Sequence, residues 1–127
     1  MSIALKNSGT IEWSAAGGEI QGLVRVTPGA DLGTTGTLTL DMSGASMRST
    51  GTLTGDVAFA ASNRAAGRSV TLRVVNGATE RTLSFPAGWT FVGAKPTAIA
   101  ASKTGILPIT AFGDADADVV AAWAAEV

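Results

Sequence analysis

The sequence predicts an all-β protein, an antiparallel sandwich or barrel-like knob of about 8 to 10 short strands with an N-terminal arm or extra strands. Three observations carry that expectation. Apolar and polar residues alternate with period two in short segments, the spacing that puts one face of a strand on a core and the other in water. Those segments are rich in Thr, Val, Leu and Ile, and β-branched side chains suit a pleated, half-buried surface. Gly, Asn, Asp and Pro stand between them, each favouring a turn for its own conformational reason.

Residues 11–14 form a short first strand. Residues 19–27 alternate Ile20, Gly22, Val24 and Val26 against Glu19, Gln21, Leu23 and Arg25 as far as a Pro28-Gly29 turn. Residues 29–36 read as loop. The cleanest strand is 37–42, with Leu38, Leu40 and Met42 on one face and Thr37, Thr39 and Asp41 on the other. A turn at 43–46 leads to a strand at 48–53. After Thr54-Gly55-Asp56, residues 57–61 continue with Val57, Phe59 and Ala61 facing one way.

A loop at 62–67 precedes a strand at 69–75, where Val70, Leu72 and Val74 alternate with Thr71, Arg73 and Val75. Asn76-Gly77 predicts a type I′ hairpin, because both residues tolerate positive φ; a longer loop through Thr79 is the alternative. The returning strand, 81–85, points Leu83 and Phe85 inward and ends at Pro86. Residues 87–96 read as a loop holding Trp89 and Phe91. Strands at 97–102 and 105–112 follow, and Pro108 assigns the second to an edge or a bulge, since proline has no N–H for a ladder. Residues 114–127 read two ways. Val119, Val120, Trp123 and Ala124 have helical spacing with Asp116 as N-cap; Val119, Ala121, Trp123 and Ala125 share one face of a strand after a Gly113-Asp114 turn.

Composition narrows the function. The chain has 127 residues, 46% of them hydrophobic, and a net charge of -1, which fits one folded domain and excludes charge-driven disorder. Its 16 Gly and 23 Ala leave few bulky side chains for a core, so self-association is expected to supply stability. Without Cys there is no disulfide framework or thiolate metal site. Without His, Ser/His/Asp and Cys/His catalysis are excluded. Nine Lys and Arg are scattered along the chain, whereas a nucleic-acid surface needs them clustered. No apolar run approaches the roughly 20 residues that cross a bilayer. Residues 1–10 lack the basic and apolar regions of a signal peptide.

From Gly36 the order of features resembles a known module. The run is Thr37-Leu38-Thr39-Leu40-Asp41-Met42, then Leu53-Thr54-Gly55-Asp56-Val57, Asn63 and Gly67-Arg68-Ser69-Val70-Thr71-Leu72. It continues through Arg81-Thr82-Leu83-Ser84-Phe85-Pro86-Ala87-Gly88-Trp89 and Lys95-Pro96-Thr97 to a last segment bearing Trp123. In that order these residues resemble the small β module of tailed-bacteriophage head-fibre, capsid decoration and tail-fibre proteins. Strands 106–109 and 121–125 are leaner than that family's, and residues 1–33 lie outside the resemblance. The resemblance implies an all-β, commonly trimeric, non-catalytic protein that binds surfaces. It favours strand for 118–126 and divides the chain into an attachment arm or additional strands at 1–33 and a β knob at 34–127.

Several constellations have both a functional and a plain reading. Asp114, Asp116 and Asp118 alternate as calcium-loop ligands do, but the loop's Gly is missing and Ala125 stands where its Glu belongs; a solvated turn is favoured. Arg64, Arg68, Arg73 and Arg81 are placed to clamp an acidic surface, against exposed pairing with Glu80 or Asp56. Trp89 and Phe91 form a candidate surface loop for stacking on a sugar, against capping the end of the core. Leu38, Leu40, Val70, Leu72 and Trp123 are the candidate subunit interface, and Trp13 is a candidate to pack with Trp123. No Gly-rich phosphate loop occurs, and carboxylates confined to turns and exposed strand faces give no glycosidase pair.

The expectation is therefore a non-enzymatic virion structural protein without cofactor or metal. It would be a capsid decoration (cement) or head-fibre protein, made in the host cytoplasm and bound to the capsid exterior as a trimer, with the major capsid protein or another virion protein as partner. The alternative is a tail-fibre or tail-tip module recognising host surface carbohydrate. Neither nucleic acid nor membrane is an expected partner.

Overall fold

The computed structural model describes residues 31–127 in full and the backbone of residues 3–5 and 11–13. The expected strand at 19–27 and the side chain of Trp13 lie outside the described residues. The fold is all-β. Its strands are β1 (Ile3–Leu5), β2 (Ile11–Trp13), β3 (Gly36–Asp41), β4 (Met47–Leu53), β5 (Val57–Ser62), β6 (Ser69–Asn76), β7 (Arg81–Ser84), β8 (Thr90–Val92), β9 (Ala98–Ile99), β10 (Thr104–Ala111), β11 (Val119–Ala122) and β12 (Ala124–Ala125). A 3-10 turn, Asp116–Asp118, precedes β11.

β1 and β2 form an antiparallel pair with Ile3 opposite Trp13. The remaining strands make two sheets, one ordered β4-β6-β10-β11-β8 with β12 also on β10, the other ordered β3-β5-β7-β9. Neither closes into a barrel, and both are mixed rather than antiparallel. β3–β5, β5–β7, β4–β6 and β8–β11 pair parallel, whereas β6–β10, β10–β11, β10–β12 and β7–β9 pair antiparallel. The cause is the route of the chain. From β3 to β7 successive strands alternate between the two sheets, so neighbours within a sheet are two apart in sequence and run the same way.

This routing corrects the hairpin at Asn76-Gly77. β6 and β7 belong to different sheets, and neither Asn76 nor Gly77 has positive φ. The preference of Asn-Gly for a tight turn loses to the burial of an amide. Asn76 is 5% exposed and its Nδ2 donates to the carbonyls of Thr79 (2.9 Å), Ile99 (3.1 Å) and Ala100 (2.9 Å). Its Oδ1 accepts from Gly77 N–H at 2.8 Å. One side chain thus joins the end of β6 to the loop before β7 and to the β9–β10 connection.

Pro108 needs a second correction, because it lies in β10, a central strand, opposite Thr71 of β6. Alternate residues of β10 direct their N–H toward the last strand, as Phe112 N–H does to Asp118 O at 2.9 Å. Position 108 falls in that series and offers no donor. There the last strand divides into β11 and β12, with the same register continuing on either side of the break. Of the two readings of 114–127, the structure takes the strand.

The core lies between the sheets. Leu38, Leu40, Phe59, Leu83 and Ile99 from one sheet meet Val70, Leu72, Leu107, Ile109 and Val119 from the other, all at most 3% exposed. β4 carries an irregularity between Ser49 and Thr52, where the buried Thr50 hydroxyl accepts Val75 N–H at 3.0 Å. The side chain replaces a backbone partner the irregular ladder does not supply.

Candidate functional site

The alternation that made Leu38, Leu40, Val70 and Leu72 a candidate subunit interface instead directs them at the opposite sheet of the same chain. Their exposures are 3%, 0%, 1% and 0%, so they offer no surface to another copy. Trp123 alone of that set is partly exposed, and it packs against the core at Gly105. A Cβ at position 105 would overlap the indole. The ring takes the space that glycine leaves, a pairing that restores apolar cover over a bare strand position.

Trp89 is likewise an inner residue. It is 5% exposed, with its ring 6.0 Å from Phe85, which stacks on Phe59 at 5.4 Å and meets Phe91 edge-on at 4.7 Å. Offset and edge contacts at these distances are the preferred aromatic geometries. Phe91 belongs to β8 rather than to a loop; its ring is half-buried, with Lys95 Nζ 5.8 Å from its centroid. The candidate sugar platform is therefore the closed aromatic end of the core.

Asp116 ties that end together. Trp89 Nε1–H donates to its Oδ1 at 3.3 Å, and Arg64 Nη1 lies 3.3 Å from the same oxygen. Arg64 also donates to the carbonyls of Ala61 and Asp114. Asp118 Oδ2 accepts Ala115 N–H at 3.1 Å. The acidic run is thus a turn in which the carboxylates of Asp116 and Asp118 hold protein donors, and no group of acids able to hold a metal occurs among the described residues. The four arginines form no single clamp: Arg64 and Arg68 both bond carbonyls in the 61–63 stretch, while Arg73 lies on β6 and Arg81 on β7, in different sheets. Arg68 donates to Asn63 O at 2.6 Å and Arg73 to Ser49 Oγ at 3.2 Å. Asp56 receives Thr82 N–H at 2.9 Å.

Near the same end Asp41 forms a compact exposed cluster. Its Oδ1 accepts from Ser43 Oγ at 2.6 Å, Ser43 N–H at 2.9 Å and Asn63 Nδ2 at 3.0 Å. The Ser43 hydroxyl first, then Asn63 and the Ser43 amide, lower its pKa to about 2, since donors favour the charged carboxylate. Asn63 holds φ of 53°, a left-handed conformation asparagine tolerates.

What the chain presents outward differs between its sheets. The four-stranded sheet shows Thr37, Thr39, Ala58, Ala60, Thr82 and Ser84. The six-stranded sheet shows Met47 (49% exposed), Val92 (62%), Ile106 (48%) and Phe112 (67%). A groove of about 490 Å³ runs past Met47, Ser49, Thr71 and Ile106 with the charged Asp31, Arg48 and Arg73 also in its wall, and a shallower one of about 210 Å³ past Val92, Pro108, Thr110, Phe112, Val120 and Ala122. Sequence alternation contained this face, because outward positions of β10 and β8 carry large apolar residues where polar ones are usual. The pairing that gathers them was not readable from the alternation.

Fold and surface together define an all-β protein with one extensive apolar sheet face. No helix among the described residues is long and apolar enough to cross a membrane. No family model, curated protein or solved structure matches the chain.

Proposed function

We propose that this chain is a bacteriophage virion structural protein, a capsid decoration (cement) or head-fibre protein that binds the capsid exterior as a trimer. It is non-enzymatic, with a β-sandwich knob at 34–127 and an attachment arm or additional strands at 1–33. The resemblance running from Gly36 to Trp123 supports the particle and the trimer. One structural observation carries the rest: among the described residues, the large apolar side chains that remain exposed, apart from Val127, lie on the outer face of a single sheet. A patch of that kind suits contact with protein surfaces.

The carbohydrate-binding alternative needs an aromatic face open to solvent in the 88–94 loop, and Trp89 is 5% exposed. Cryo-electron microscopy of the purified particle tests the assignment. Density for the chain on the outside of the capsid is the expected result, and density confined to the tail, or none, overturns it.

A further inference from the structure

We propose that Asn76 is a modification site gated by the fold: its amide is preserved while the end of β6 is closed and is lost by deamidation when that end opens. The inference concerns the chain itself and does not rest on the virion reading.

The chemistry starts from the dipeptide Asn76-Gly77. Once the Gly77 nitrogen has given its proton to solvent, it can attack Asn76 Cγ and close a succinimide ring. A bond forms between that nitrogen and Cγ, the Cγ–Nδ2 bond breaks, and the side-chain nitrogen takes up a proton and leaves as ammonia. Water then opens the ring at either carbonyl, giving aspartate or isoaspartate. An amide and a water have become a carboxylic acid and ammonia, with no oxidation or reduction. Glycine favours the attack because no Cβ crowds its nitrogen.

The closed fold withholds each requirement of that step. Ring closure needs the nitrogen lone pair aimed at Cγ, but Gly77 directs its N–H at Oδ1 of the same side chain, 2.8 Å away. The backbone is fixed on both sides of the pair: Asn76 N–H donates to Lys103 O at 3.0 Å, and Gly77 O accepts Ser102 N–H at 2.6 Å. The departing nitrogen is held by the carbonyls of Thr79, Ile99 and Ala100. Turning the amide toward attack would strand a buried donor. Burial of Asn76 also keeps away the solvent that must accept the proton and supply the water.

The same contacts explain why so labile a pair stands here. Position 76 needs a donor for the carbonyls and an acceptor for Gly77 N–H, which an amide combines. Position 77 has little room, since a Cβ there would stand 3.0 Å from Leu53 O. Deamidation then weakens closure. The new carboxylate would face the same three carbonyl oxygens without a donor, and isoaspartate would add a main-chain carbon at the end of β6. A deamidated chain therefore opens more often than an intact one.

Peptide mapping of the full chain tests the proposal. Samples aged in mildly alkaline buffer, with and without guanidinium chloride, are quenched in acid and cut with trypsin, which isolates Asn76 in residues 74–81 and Asn63, followed by Arg64, in residues 49–64. A synthetic 74–81 peptide aged alongside corrects for any effect of the denaturant on the chemistry, and circular dichroism shows that the sample in buffer is folded. In denaturant Asn76 should deamidate faster than Asn63. In buffer it should react at least about a hundredfold more slowly than in denaturant, because folded proteins keep an open fraction of about 10⁻³ or less. A smaller ratio overturns the proposal, as does an unfolded Asn76 no faster than Asn63. Brief native-state proteolysis of a partly aged, refolded sample tests the consequence. The surviving chains should be depleted in aspartate and isoaspartate at position 76, and equal content in surviving and digested chains overturns the link between deamidation and opening.

Discussion

The two ends of the core are closed by different chemistry. Where β6 begins, Phe85, Trp89 and Phe91 pack together, and Asp116 joins the indole to Arg64. Where β6 ends, Asn76 spends its amide on three carbonyls. Aromatic closure depends mainly on area and volume, so it fails in proportion to what is removed. Amide closure depends on matching donors to acceptors, so a substitution that preserves shape but reverses that match is severe.

Trp89→Ala should have the largest effect, a loss of about 4 kcal/mol in stability, since it removes a buried ring from a packed cluster. Equilibrium denaturation measures it. A cost below about 1 kcal/mol would show that the aromatic end carries little of the core's stability.

Asn76→Asp comes next, at about 3 kcal/mol near neutral pH, although the two side chains have nearly the same shape. The carboxylate would face the oxygens of Thr79, Ile99 and Ala100, and burial among them raises its folded pKa above the unfolded value. The penalty against wild type is therefore largest above that raised pKa. It shrinks as pH falls through it, when the protonated group regains a donor. Denaturation curves at several pH values check both size and sign.

Trp89→Phe keeps most of the ring and loses the N–H donated to Asp116, for a cost of about 1 kcal/mol. The informative quantity is its ratio to Asn76→Asp. If the two near-isosteric changes cost the same, the distinction between the ends does not hold.

The strands from β3 to β6 and β10 were legible because each carries one apolar face, and alternation reports a face directly. It does not report which strand lies alongside, so parallel pairing and alternation between sheets were hidden. Asn76 shows a related limit. A turn preference is local, whereas the carbonyls that capture its amide include two more than twenty residues away. Leu38, Leu40, Val70 and Leu72 stand out in the sequence as an apolar set, and all four are buried. Their destination could not be read, because alternation distinguishes buried from exposed without saying whether the covering surface is the same chain or another. Trp89 followed the same logic, since a Gly-flanked aromatic looks alike as platform and as plug until Asp116 is placed beside its indole.

The smallest effect belongs to Asp41, on the rim of the aromatic end. The carboxyl's pKa, about 2 against an ordinary 3.8, follows chiefly from the Ser43 hydroxyl. Its folded pKa is depressed, so the stabilisation is complete above the unfolded value and is lost as pH falls from about 4 through about 2. Carbon-detected NMR of the Asp41 carboxyl should give a midpoint near 2, and Ser43→Ala should move it upward. The sign separates this site from the amide end. Asp41 stabilises the native chain only while ionised, whereas an ionised carboxylate at position 76 would destabilise it, so acid should weaken wild type at one end and relieve Asn76→Asp at the other. A wild-type midpoint near 3.8 would mean that the Ser43 and Asn63 contacts do not persist in solution, and the polar rim would then contribute nothing to holding the aromatic end.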